Sequence, residues 1–317
     1  MNFKNIVMWH RDWNLGNLID ILDSNTNTNV RILGAEEYAI MGWDNPKNKP
    51  FFRKVSERIK KGSNTLEFVS GAFPTNKSFN PGRTKITYWK SFWPTKTVYE
   101  FSKFSHNINH ADVTIPFISL NNMPWKHRCI MMDELAKNNL ISKGSISWNI
   151  LSADYDWKHW SQRRMIIDSQ YATSTQQYAT LPTDFNKSFL SLVNESTMET
   201  MFPTEKTYTP ILFKKPFLVF SVKDFHKTLY NEFGFEMYDE IFDYSFDSEP
   251  DMYKRCKLIV KQVKKLVDED LNVCYDMVAE KAQRNYNTLI QIAKNKSLVP
   301  DSILKFGGYE HLIRDMK

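Results

Sequence analysis

The chain has 317 residues, 42% of them hydrophobic, and carries 42 Lys and Arg against 36 Asp and Glu for a net charge of +6. That size and apolar share suit two domains with a core each, and no stretch approaches 18 uninterrupted apolar residues, which excludes a membrane-spanning helix. Cys129, Cys256 and Cys274 lie far apart without metal-ligand spacing, which argues against a disulfide framework, and the N-terminus lacks the apolar centre of a signal peptide, so a cytoplasmic protein is expected.

In chain order, Ile6–Trp9 reads as a buried strand, followed by Leu15, Leu18, Ile19 and Leu22 at helical spacing and a second strand at Val30–Leu33. A helix around Phe52–Ile59, with Gly62 beyond its end, and strands near Leu66–Val69 and Val113–Phe117 continue an alternating β/α pattern. Lys85–Pro94 alternates basic and aromatic residues between turn signals and reads either as a strand or as an exposed loop. Cys129, Met132, Leu135, Ala136 and Leu140 form one apolar stripe on a helix that opens with His127 and Arg128, and Gly144 lies past its end. The polar stretch 152–187 has no clear period and reads as a linker or loop. Asp251–Asp268 and Leu271–Lys294 then read as two long helices, the first marked at its start by Ser248 and Pro250.

Charge is uneven along the chain. Residues 1–190 hold 24 Lys and Arg against 16 Asp and Glu, a net of +8, whereas residues 191–317 hold 18 against 20, a net of −2. The nine tryptophans also lie in the first part. Basic and aromatic residues together suit a polyanion or a stacked ring, and Trp9, Trp13, Trp89, Trp93 and Lys90 are the candidates for an acceptor surface. The plainer alternative is that several of these tryptophans are core and the lysines a solvated surface.

The most informative stretch is Ser191-Leu192-Val193-Asn194-Glu195, then Pro203-Thr204-Glu205-Lys206, then Pro216–Phe220. It reads as strand, loop, helix N-terminus carrying an acid and a lysine, and second buried strand. A helix N-terminus offers backbone N–H groups and a favourable dipole to an anion such as a nucleotide diphosphate. This stretch resembles the donor-binding motif of fucosyltransferase-like glycosyltransferases. Phe117–Asn122 through His127-Arg128 and Leu135–Gly144 resemble the same family's preceding segment, and Leu229, Gly234-Phe235 and Tyr244–Asp247 fit the helix and loop that follow, so the likeness covers about residues 115–247. Lys214 and Lys215 depart from it, standing where the family has a small residue and glycine, and Pro210 is expected to kink the helix begun at Thr204.

The resemblance implies an α/β fold with two Rossmann-like lobes facing across a cleft, of the GT-B type. On that reading residues 1–150 form an acceptor lobe, 151–180 a linker, 181–270 the donor lobe, and 271–317 helices that pack back on the first lobe. It also implies a nucleotide-diphosphate sugar as co-substrate. Glu205 and Lys206 would contact the donor, with Thr204 and Asn194 beside them and Arg128 helping Lys206 to neutralise the leaving diphosphate. Glu195 would face the sugar as its anomeric carbon gains positive character. The bland reading makes Glu205 a helix-N-terminal acid and Lys206 a surface lysine.

An inverting transfer needs a general base. Asp12, after the first strand, is the positional candidate, with His10 equally fit by its ordinary pKa and Glu36 and Glu37 in reserve, although Asp12 serves equally well as a helix cap. Asp154-Tyr155-Asp156 matches a metal-binding triad only by letters, and no metal is expected. The lead acceptor is a hydroxylated base in DNA, suggested by the basic first part and by the Asn/Lys usage of AT-rich phage or viral genomes. A glycan or lipopolysaccharide acceptor would use the same tryptophans, and a non-enzymatic nucleic-acid-binding protein would show the same basic part without needing Glu195, Glu205 or Lys206.

Overall fold

In a computed structural model of the chain, the structure describes residues 3–7, 15–24, 29–33, 53–54, 57–59, 65–71, 84–104, 112–152, 154–167 and 181–306. Its elements are β1 (Phe3–Val7), α1 (Leu15–Ser24), β2 (Asn29–Leu33), β3 (Thr65–Ser70), β4 (Thr84–Tyr88), α2 (Phe92–Glu100), β5 (Ile115–Asn121), α3 (Lys126–Lys137), β6 (Ser145–Trp148), α4 (Asp184–Lys187), β7 (Ser188–Asn194), α5 (Glu205–Leu212), β8 (Phe217–Phe220), α6 (Phe225–Thr228), α7 (Met252–Val267), α8 (Leu271–Lys294) and α9 (Asp301–Phe306). The fold is mixed α/β with two four-stranded sheets, ordered β1-β2-β3-β4 and β6-β5-β7-β8, and the pairings within both are parallel.

The chain divides into two compact units. Unit 1 comprises Met1–Thr95, Glu199–Phe202 and Ala293–Lys317, and unit 2 comprises Lys96–Met198 and Pro203–Ile292. The expected boundary near residue 150 does not coincide with this division. The strand expected at Val113–Phe117 runs over Ile115–Asn121 and belongs to the second sheet, because Phe117 and Ile118 pair with Leu190 and Ser191 of β7. Of the two readings of Lys85–Pro94 the strand holds as far as Tyr88 (β4), whereas the exposed loop does not, since Trp89 and Ser91–Trp93 are buried and the segment runs into α2. Counted by unit, Lys and Arg against Asp and Glu are 19 against 12 in unit 1, a net of +7, and 23 against 24 in unit 2, a net of −1.

Within unit 1, Trp89 and Phe92 are fully buried and Trp93 nearly so, and their rings meet at 5.2–5.3 Å. Trp89 donates its indole N–H to Ser91 Oγ at 2.9 Å. Apolar burial of this kind is the main driving force of the unit's core.

In unit 2, β7 and β8 are buried along their whole length, as befits strands covered on both faces. Helix α3 ends in a Schellman turn. Asn139 takes φ 58°, its N–H reaches Ala136 O, and Leu140 N–H reaches Leu135 O. Gly144 is therefore not the helix stop. A Cβ there would lie 2.5 Å from the Phe117 ring, so the position must be glycine to let the turn before β6 press on β5.

Helix α5 runs through Pro210 and closes two residues later in the same kind of turn, with Lys214 at φ 55° and Lys215 N–H bonded to Pro210 O. Lys215 is itself fully buried, and its ammonium donates to Ser188 Oγ at 2.8 Å and to the carbonyls of Phe185 and Ser188. Burial pushes its pKa well below the usual lysine value. Lys215 is thus a clamp at the N-terminal end of β7. On the edge strand β8, His226 Nε2 accepts the N–H of Val219 at 3.1 Å, capping the strand's outer side, while Nδ1 bonds Asp247 at 2.9 Å. The Tyr244–Asp247 segment holds that histidine through Asp247.

Candidate functional site

The second sheet reverses direction between β5 and β7. From β5 the chain moves outward to β6, then returns to the other side of β5 and continues to β8. Such a switch leaves a crevice at the carboxyl ends of the two strands, the usual ligand position in an open parallel sheet. Asn121 ends β5 and Asn194 ends β7. The two turns that follow open α3 at Lys126 and α5 at Glu205.

Asn194 Nδ2 donates to Asn121 Oδ1 at 2.9 Å and to Ser119 Oγ at 3.3 Å, and Asn121 N–H donates to Ser147 Oγ at 2.9 Å. These four buried polar side chains tie β5, β6 and β7 together at the switch. Hydrogen bonds in such a dry network are stronger than in water, so the strand ends are held in one register.

Glu195 follows directly and is completely buried. Its Oε1 accepts the Thr204 N–H at 2.9 Å and the Thr207 hydroxyl at 2.6 Å, while Oε2 accepts the Thr204 hydroxyl at 2.8 Å and the Ser196 N–H at 3.1 Å. Burial raises the pKa of this carboxyl, with Lys206, the Thr204 N–H and the Thr207 hydroxyl pulling the other way. The expectation that Glu195 faces the sugar is corrected by this geometry. Both oxygens are consumed inside the protein, and the carboxylate acts as a staple that closes the loop 196–203 and fixes the N-terminus of α5. The mouth of that helix is consequently filled by the protein's own carboxylate.

Glu205 and Lys206 form an ion pair at 3.1 Å, and Lys206 Nζ also reaches Ser196 Oγ at 3.1 Å. Lys206 keeps 28% of its side chain exposed, against 9% for Glu205. Burial opposes ionisation of Glu205, yet Lys206 and Lys96 together hold its carboxyl below the usual range. Thr204 caps the helix by accepting the Lys206 N–H. From the other turn, His127 Nε2 bonds Glu195 O at 2.8 Å, and Arg128 donates to Met123 O at 3.2 Å and Glu195 O at 3.4 Å. Burial, then the Arg128 charge, push His127 down to about 4, so at neutral pH it is an uncharged ring donating its Nε2–H to that carbonyl.

The structure therefore gathers Arg128, Asn194, Glu195, Thr204, Glu205 and Lys206 at one edge of one sheet. It adds Ser119, Asn121 and His127, which the sequence placed in the resembling segment without a role, and Ser196 and Thr207, which sequence reasoning passed over. The signal available for them was weak: a Ser or Thr is informative only once its neighbour across the sheet is known. Asp12, His10, Trp9, Trp13, Glu36 and Glu37 lie outside the described residues. Trp89 and Trp93 are core residues of unit 1, 0% and 5% exposed, which corrects their assignment to an acceptor surface, while Lys90 is half-buried beside them. Among the described residues no cluster of three or more His, Cys, Asp or Glu could hold a metal ion, and no helix is long and apolar enough to cross a membrane.

Comparison with known proteins adds no further identification. No family model matches the chain, and no curated protein or solved structure was found to match it.

Proposed function

We propose that the protein is a glycosyltransferase whose unit 2 binds a nucleotide-diphosphate sugar at the carboxyl edge of its parallel sheet. The observation that carries this reading is the switch between β5 and β7, where the turns opening α3 and α5 bring Arg128 to Glu195 O and Lys206, paired with Glu205, to Ser196, just past the end of β7. Glu205, held ionised and buried, suits the paired hydroxyls of a ribose. Lys206, the more exposed member of the pair, suits the charge that collects on the departing diphosphate. Glu195, Thr204 and His127 are positioning residues, because they act through the helix N-terminus and the loop backbone. On this reading the two units are Rossmann-like lobes of the GT-B kind, the transfer is inverting and needs no metal, and the general base comes from unit 1, with Asp12 and His10 as candidates. A hydroxylated DNA base is the lead acceptor, and a glycan is the other.

Thermal denaturation with a panel of UDP-, GDP- and dTDP-sugars tests it. One of them at saturating concentration should raise the melting temperature by several degrees. Lys206→Ala should abolish that rise and, because it unpairs the buried Glu205, should also lower the unliganded melting temperature. A panel that leaves the transition where it was, together with absence of sugar transfer or nucleotide-sugar hydrolysis, would end the enzyme reading.

The net +7 of unit 1 against −1 in unit 2 favours a second reading, a nucleic-acid-binding protein without catalysis. It is distinguished by DNA affinity that falls steeply with salt and is indifferent to Glu205→Gln and Lys206→Ala.

A further inference from the structure

Unit 2 leaves Met123, Trp125, Ile150, Leu151 and Ile166 with 40–51% of each residue exposed. They come from three segments that the fold ties together at the carboxyl ends of β5 and β6. Asn149 Nδ2 donates to Asn122 Oδ1 at 3.4 Å, linking the segments after the two strands. Ser152 and Gln162 exchange two hydrogen bonds, at 2.5 and 2.8 Å, and Met165 pairs antiparallel with Trp148, which brings the third segment alongside. Underneath, the rings of Trp148, Trp157 and Trp160 meet edge to face at 5.0–5.8 Å, and the Asp133 carboxylate of α3 accepts the N–H groups of Lys158, His159 and Trp160. The exposed apolar side chains thus stand on a braced platform.

Around them Lys126, Lys158, Arg163 and Arg164 are exposed against the exposed acids Asp154 and Asp156, of which Asp156 is paired with Lys158. A cluster that combines bare aliphatic groups, one amphipathic indole and an excess of exposed cations over acids matches an interface that is apolar within and anionic at its rim. Aliphatic side chains offer no ring face to a nucleobase, which sets this surface apart from a stacking platform for nucleic acid. We infer that this face docks on an anionic phospholipid bilayer. Trp125, Ile150, Leu151 and Ile166 enter the boundary between headgroups and acyl chains, and Lys126, Arg163 and Arg164 meet the phosphates. The inference does not rest on the glycosyltransferase reading, since none of the side chains it uses is assigned to the donor, although Met123 O accepts from Arg128.

Co-sedimentation with phosphatidylcholine vesicles, with and without one-third phosphatidylglycerol, tests it on the full chain. Binding is expected to the anionic vesicles alone and should weaken as salt is raised. The double variants Ile150→Ser with Leu151→Ser, and Arg163→Glu with Arg164→Glu, should each lower the partition coefficient by about tenfold or more, with the melting temperature and any response to nucleotide sugars unchanged. Absence of vesicle binding by the wild-type chain overturns the inference, as does binding that both double variants retain. Loss of oligonucleotide binding in the arginine variant without any vesicle binding would assign the face to nucleic acid instead.

Discussion

The two sheets are built from the same kind of strand and differ in order. In unit 1 the described strands run β1-β2-β3-β4, so each crossover steps in the same direction and no reversal occurs among them. In unit 2 the order β6-β5-β7-β8 reverses once, and the polar side chains of Asn121, Asn194, Glu195, Arg128 and Lys206 collect at that reversal. The difference teaches that parallel pairing alone does not make a site. A reversal separates the two βα turns that would otherwise pack on one another, and the polar groups buried there bond largely to one another, with Asn194 Oδ1 left without a hydrogen-bond partner.

If the switch in unit 2 is held by buried polar clamps, removing them should loosen that sheet while the amides of Val69 and Trp89 in unit 1 keep their protection from hydrogen exchange. The largest effect is expected from Lys215→Met, which strands the carbonyls of Phe185 and Ser188. A loss of about 3–5 kcal/mol in urea unfolding is expected, and a loss below about 1 kcal/mol would show the clamp to be dispensable. His127 gives a pH signature of nearly that size. Its folded pKa of about 4 lies below the ordinary 6.5, so the unfolded chain takes up a proton first. Stability from this group is present above pH 6.5 and is lost as pH falls through the folded value, by up to about 3 kcal/mol. His127→Gln should flatten that acid limb in a series of denaturation curves between pH 7 and 4.

Glu195→Gln comes next, at about 2–3 kcal/mol. Each carboxylate oxygen accepts a backbone N–H, from Thr204 and from Ser196, so an amide group in either orientation turns a donor towards a donor. A glutamine variant as stable as wild type would mean that Glu195 is no staple. Gly144→Ala should cost about 1–3 kcal/mol by driving a methyl into the Phe117 ring, and combining it with Phe117→Leu should recover part of that loss. The smallest expected change is a gain. Lys214→Gly relieves a left-handed lysine and should stabilise by about 0.5–1 kcal/mol, offset in part by the lost approach of its ammonium to the Tyr286 ring.

Much of unit 2 was legible in the sequence because its signals are local. The apolar run at Phe217–Phe220, the Thr204 cap with its following acid and lysine, and the 3.6-residue period of Met252–Val267 each depend on residues within a turn or two of one another. The tryptophans misled for the opposite reason. Trp89 and Trp93 beside Lys90 look the same on paper whether they face solvent or fill a core, and only packing against Phe92 decides. The same limit applied to Val113–Phe117. Its apolar run fixed a strand, but its membership in the second sheet depends on register with residues about 73 positions later in the chain.

Composition and periodicity by themselves determined that this is an α/β chain with parallel-type buried strands, an acid and a lysine opening α5, and two long amphipathic helices near the end. Only the tertiary structure decided which strands share a sheet, that the order reverses between β5 and β7, and that Glu195 is spent on the N-terminus of α5 while Lys206 retains access to solvent. The physical reason is that strand and helix propensities act over a few residues, whereas the fate of a carboxylate is set by which donors the folded chain brings within about 3 Å of it.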